Sequence, residues 1–116
     1  PRVDRVYFPG LPKHPDEATI AKLLPKNQYG AMIAFEIKGG AKPEVFSFME
    51  KLKMIVRATS LGDVHTMVLY PVMASHRDVS PKQRERVGIR DNLVRISAGI
   101  EAIEDILADL EQALSA

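Results

Sequence analysis

Proline and glycine cut this chain into short pieces, and that punctuation limits it to short strands and helices. The breaks fall at Pro9-Gly10, Pro12, Pro15, Pro25, Gly30, Gly39-Gly40, Pro43, Gly62, Pro71, Pro81, Gly88 and Gly99. Proline lacks a backbone donor and glycine accepts positive φ, so both gather at turns and element ends. The pieces between them are of two kinds, and the kinds alternate. Val3–Phe8, Ala31–Ile37, Met54–Thr59, Thr66–Tyr70 and Leu93–Ser97 are rich in β-branched, aromatic or other apolar residues and read as strands. In the second of these, Ile33, Phe35 and Ile37 share one face, while Met32, Ala34 and Glu36 share the other.

The helices announce their starts. Pro15 leads into Asp16-Glu17 and Pro43 into Glu44, which places a fixed-φ residue and carboxylates at the positive end of a helix dipole. Ser80 and Gln83 have the spacing of a capping box. Residues 102–114 form the clearest helix, with Ile103, Ile106, Leu107, Leu110 and Leu114 as a core stripe and Glu104, Asp105, Glu111 and Gln112 on a solvated back. The resulting order, β-α-β-α-β-β-α-β-α, predicts an α+β fold: a small, mostly antiparallel sheet with helices on one face. The other face is expected to meet solvent or a partner domain.

A length of 116 residues fits one domain, residues 1–116, with a single core. Sixteen basic against fifteen acidic residues leave a formal charge of +1, which speaks against nucleic-acid binding by bulk phosphate neutralisation. Without cysteine there is no disulfide framework and no thiolate ligand or nucleophile. Apolar runs such as Ala31–Phe35 are far shorter than the ~20 residues that cross a bilayer. No targeting leader is visible, and a first residue other than methionine leads us to expect a fragment of a longer protein.

Most site chemistries lack their residues. His14, His65 and His76 have no metal-ligand spacing. Gly39-Gly40-Ala41-Lys42-Pro43 joins a strand to a helix but lacks the phosphate-loop pattern, and reads as a tight left-handed turn. Ser60, Ser75, Ser80 and Ser97 have turn, cap or strand roles, and no nucleophile elbow occurs. The lysines fall at turns, on helix backs or beside charges, where none is set up to become a Schiff base. Arg95 is different. It lies mid-strand in Leu93-Val94-Arg95-Ile96-Ser97, and alternation gives it the face of Leu93 and Ser97. A guanidinium there must reach water or find an anion. It is either an exposed surface arginine or a planar fork for a substrate carboxylate.

Several runs, in register, resemble one family. They are Val3-x-x-Val6-Tyr7-x-Pro9-Gly10-Leu11 with His14-Pro15, Phe35-Glu36-x-x-Gly39-Gly40, Ala58-Thr59-Ser60-Leu61-Gly62-Asp63, Tyr70-Pro71 with Ser75-His76, and Gly88-Ile89 through Leu93-Val94-Arg95-Ile96-Ser97-Ala98-Gly99-Ile100-Glu101. Together they resemble the C-terminal part of the Cys/Met-metabolism (transsulfuration) enzymes that depend on pyridoxal 5'-phosphate. That family includes cystathionine γ-synthase, cystathionine γ-lyase, cystathionine β-lyase, methionine γ-lyase and O-acetylhomoserine sulfhydrylase.

The resemblance implies a C-terminal small domain of a fold-type I enzyme, inactive alone. Its cofactor lysine and ring-stacking aromatic would lie in a larger, preceding domain of the same chain. It implies that Arg95 holds the α-carboxylate of a sulfur-containing amino acid, that Ser60 lies near the cofactor linkage, and that backbone around Leu61 lines the same pocket. It further implies γ-elimination or γ-replacement chemistry in a cytoplasmic homo-oligomer of the tetrameric kind. His65 stands where members acting on cystathionine or methionine often carry Glu, and an imidazole is no fixed anion toward a distal ammonium. Asp63 looks more like the methionine γ-lyases and sulfhydrylases than like the synthases. The alternative from another class is a free-standing regulatory module that binds an amino acid, which has no reason to combine the Ser-Leu-Gly turn with Arg95.

Overall fold

The computed structural model describes residues 2–115. Five strands, β1 (Val3–Tyr7), β2 (Met32–Ile37), β3 (Val56–Arg57), β4 (Met67–Leu69) and β5 (Leu93–Ser97), alternate with four α-helices. These are α1 (Glu17–Leu23), α2 (Lys42–Lys51), α3 (Pro81–Arg86) and α4 (Ile103–Ser115), and a 3-10 turn at Pro71–Met73 follows β4. The sheet order is β1-β2-β5-β4-β3. Three of its four pairings are antiparallel, and only β3 runs parallel to its neighbour β4. The α+β fold and the element order expected from the sequence are both present.

The register sorts the side chains. Phe35 pairs with Val94, and Ile33 with Ile96, which pairs in turn with Val68. This face joins Val45 and Phe48 of α2 and Ile106 and Ala113 of α4 in one buried cluster. Burying a large apolar side chain stabilises by about 1.5–3 kcal/mol, so this one contact layer dominates the fold. Phe35 and Phe48 meet edge to face at 5.9 Å. The start signals of α2 and α3 hold, whereas α1 begins at Glu17 with Asp16 at its N-cap, which leaves Pro15 ahead of the helix and not in its first turn. Gly39 (φ 107°) and Gly40 (φ 68°) make the left-handed turn into α2, and Ser80 and Gln83 cap α3 reciprocally.

Four expectations need correction. The strand expected over Met54–Thr59 shrinks to Val56–Arg57, because the N–H groups of Met54 and Ile55 donate to the Asp109 carboxylate and not to a strand. The stripe on α4 is turned: Ile103 and Leu107 are exposed, while Asp109 and Ala113 are buried. Gln112, assigned to the solvated back, donates to the Lys51 carbonyl at 2.6 Å and to Asp109 at 2.9 Å. Finally, the sheet face away from α2 and α4 is not bare, since Glu36, Met67, Leu69, Leu93 and Ser97 are all buried on it.

Candidate functional site

Arg95 occupies the middle of β5, opposite Ala34 on β2 and Leu69 on β4, and therefore stands on the face turned away from α2 and α4. It shares that face with Leu93 and Ser97, as alternation predicts. The side chain is half-buried. Its Nη2 donates to the Ser60 carbonyl at 2.9 Å, and its Nε is buried with no hydrogen-bond partner. Among the described residues no carboxylate pairs with it. A buried donor without an acceptor costs about 1–3 kcal/mol.

Ser60, Leu61 and Arg95, which the sequence set apart, thus come together. The contact uses the carbonyl of Ser60; its hydroxyl stands on an exposed residue without a partner among the described residues. Leu61, 57% exposed, lies beside it at the open end of the turn. Gly62 closes that turn with φ 74° and donates its N–H to Ser97 Oγ on β5 at 2.9 Å. Asp63 folds back on His65, accepting from its N–H and pairing with its ring Nδ1, both at 2.9 Å. The His65 backbone donor, with the ring second, holds the Asp63 carboxyl below its ordinary range.

The loop's far end is stitched to the turn that follows β5. Glu101 accepts from the Thr66 N–H with one oxygen and from the Thr66 hydroxyl with the other, both at 2.7 Å. Thr66 Oγ1 in turn accepts from the Gly99 N–H at 2.9 Å. Ile100 N–H reaches the Val64 carbonyl at 2.9 Å. These donors, the Thr66 N–H first, lower the Glu101 pKa. Gly99 has no room for a Cβ, which would run into the Val64 carbonyl oxygen and approach the His65 carbonyl carbon and Glu101 Oε2 to 2.6 Å. Pattern reading from the sequence placed Thr66 at a strand start and Gly99 at a break, but gave neither of them nor Glu101 a part in the site. The only available signal was the Gly99-Ile100-Glu101 run directly after β5.

A second polar group shares the sheet face. Glu36, buried mid-strand, accepts from the Tyr7 hydroxyl at 2.6 Å and lies 3.7 Å from Arg90. It is satisfied internally and is not an open ligand site. Ser75 and His76 touch one another at 2.9 Å and are remote in sequence from the Arg95 loop.

The result is a sheet domain in which the Arg95 guanidinium meets the carbonyl of Ser60 in a glycine turn that also carries the exposed Leu61 side chain. The model of the family described as Cys/Met metabolism PLP-dependent enzyme matches residues 1–115. The chain belongs to that family. It is 46% identical over 98% of its length to an L-methionine gamma-lyase of Fusobacterium nucleatum subsp. polymorphum, covering 28% of that protein. Against a cystathionine gamma-lyase of Dictyostelium discoideum it is 43% identical over 98% of its length, or 29% of that protein. Among solved structures it superposes on cystathionine gamma synthase from Xanthomonas oryzae pv. oryzae, in complex with aminoacrylate and cysteine. That match has a TM-score of 0.89 at 39% identity and covers 98% of this chain and 29% of the other. The chain therefore spans less than a third of the length of these relatives.

The family depends on pyridoxal phosphate, but the residues of this chain do not form a seat for it. Seven of the eight lysines are exposed. The eighth, Lys51, ends α2 and is not on the face of Arg95.

Proposed function

We propose that residues 1–116 are the carboxylate-binding C-terminal small domain of a pyridoxal-phosphate enzyme that performs γ-elimination or γ-replacement on sulfur-containing amino acids. A larger domain of the same chain would hold the cofactor, and the whole would work as a homo-oligomer. One observation carries this reading: Arg95 is presented from a central strand beside the Ser60 turn with no acid to neutralise it among the described residues. The identity of the relatives supports the reaction class, and family membership favours an enzyme domain over a free-standing regulatory module.

The chain's part is to bind and to orient. A planar guanidinium can take both oxygens of a carboxylate, which fixes the rotation of the amino acid as well as its position. Orientation of this kind removes part of the entropic barrier before any bond changes. The test is Arg95→Lys in the full-length enzyme. Losing the bidentate geometry should raise KM for L-methionine by about 10–100-fold, the equivalent of one or two charge-assisted hydrogen bonds. A KM within twofold of the parent enzyme would refute the assignment.

A further inference from the structure

The stitching between the Ser60–Thr66 loop and the turn after β5 leads beyond Arg95 itself. We infer that Glu101 is a positioning residue for carboxylate binding: by gripping Thr66 it fixes where Ser60 and Leu61 stand relative to the Arg95 guanidinium. This inference rests on the proposed role of Arg95.

Three observations converge on it. Both Glu101 oxygens are spent on a single residue, Thr66, one on its N–H and one on its hydroxyl. A bidentate grip on one residue fixes rotation as well as distance, which a single bond does not. Thr66 then passes the constraint on, because its Oγ1 receives the Gly99 N–H while Ile100 N–H holds Val64. Gly99 is packed against that loop so closely that no side chain fits, so the turn and the loop move as one body.

Among the described residues the loop has two other hydrogen-bond ties to β5, Gly62 N–H to Ser97 Oγ and the Ser60 carbonyl from Arg95 Nη2. The second of these is made by the substrate-binding side chain itself. Without the Glu101 grip, the loop would keep the Gly62, Gly99 and Ile100 donors against the β5 side, and the Ser60 carbonyl would be freer to follow the arginine. Glu101 therefore acts through Thr66 and not by touching substrate.

The experiment uses the full-length holoenzyme and compares binding of L-methionine with binding of L-methioninamide, which lacks the carboxylate. Their affinity ratio reads the carboxylate grip and is insensitive to a general loss of stability. Glu101→Gln places an amide N–H₂ against one of the two Thr66 donors and should lower the ratio about tenfold, the loss of one charge-assisted hydrogen bond. Thr66→Val, which removes the hydroxyl but keeps the N–H, should lower it as well, and Thr66→Ser should restore it. An unchanged ratio in Glu101→Gln, with Arg95→Lys abolishing the preference, overturns this inference and leaves the role of Arg95 intact. An unchanged ratio in Arg95→Lys overturns both. Should Glu101→Gln fail to fold, the Thr66 pair decides: a lowered ratio in Val with recovery in Ser supports the inference, and equal ratios in the two refute it.

Discussion

Asp109→Asn should loosen the segment that leads into the Ser60 turn while leaving Arg95 untouched. Asp109 sits inside α4, 6% exposed, where an unpaired charge would be very costly. Its Oδ1 accepts from the Lys53 N–H at 2.9 Å, and its Oδ2 accepts from Met54 at 2.9 Å and Ile55 at 2.8 Å. Burial pushes its pKa up, yet the Ile55, Lys53 and Met54 donors and the Gln112 amide outweigh burial and hold the group below its ordinary value. The carboxylate thus works as a cap on the start of β3, borrowed from a helix far away in sequence.

Asparagine keeps one oxygen and turns the other into a donor that faces donors. Either Lys53 and Gln112 lose their acceptor, or Met54 and Ile55 do. Two charge-assisted bonds disappear in either case and at least one backbone N–H is stranded, a cost of at least about 2–4 kcal/mol. Amide hydrogen exchange reads this locally. Exchange should accelerate at least ~30-fold either at Lys53 or at Met54 and Ile55, whichever side the amide nitrogen faces, which is the smaller figure converted at 1.4 kcal/mol per decade. A change below threefold at all three amides would refute the capping argument. The pH dependence has a definite sign. The folded group holds its proton less tightly than the unfolded one, so its contribution is present above the ordinary carboxylate range and is lost as pH falls below about 4. Asp109→Asn should flatten that acid limb.

Gly99→Ala forces a Cβ into backbone atoms of Val64 and His65, and we expect a loss of at least ~2 kcal/mol together with weaker L-methionine binding; thermal unfolding and a binding titration check both, and an unchanged melting temperature would contradict the packing. Tyr70, 3% exposed with its hydroxyl on the Asp91 carbonyl at 2.6 Å, has its pKa pushed up to about 12, by burial first and the Asp91 charge second. Its folded form keeps the proton longer, so the stability it lends is complete below about 10 and is lost as pH rises toward 12; the absorbance difference between the parent and Tyr70→Phe should show tyrosinate forming late. Ser80→Ala removes the capping box from α3 and should cost about 1 kcal/mol, seen as faster exchange at Gln83 and Arg84 with KM unaltered.

The parts of the fold that local chemistry controls were legible in the sequence. Pro43, Ser80-Gln83 and Gly39-Gly40 act on their own neighbours, so their helix starts and turn are where the residues say. Strand parity is local as well, and it gave Arg95 its face correctly. What failed was whatever depended on a partner distant in sequence. Met54 and Ile55 have strand-like side chains, yet Asp109, 54 and 55 residues on, takes their backbone donors and delays β3 until Val56. The same contact rotates α4, because a helix that must present Asp109 and Gln112 inward cannot also bury Ile103 and Leu107.

The candidate site follows the same division. Arg95 could be singled out alone, since a cation in the middle of a strand demands an explanation wherever it occurs. That Ser60 would belong to the same pocket followed only from a family likeness, because a separation of 35 positions carries no local signal of the contact. The Glu101–Thr66–Gly99 stitch was invisible for a stronger reason. Each of its members has an ordinary local role, an acid in a turn, a threonine at a strand start, a glycine after a strand, and only the fold brings three ordinary residues onto one another. Sites built this way are read from sequence by their strained or costly member, here the arginine, while the residues that hold that member in place become visible only once the backbone has been folded around it.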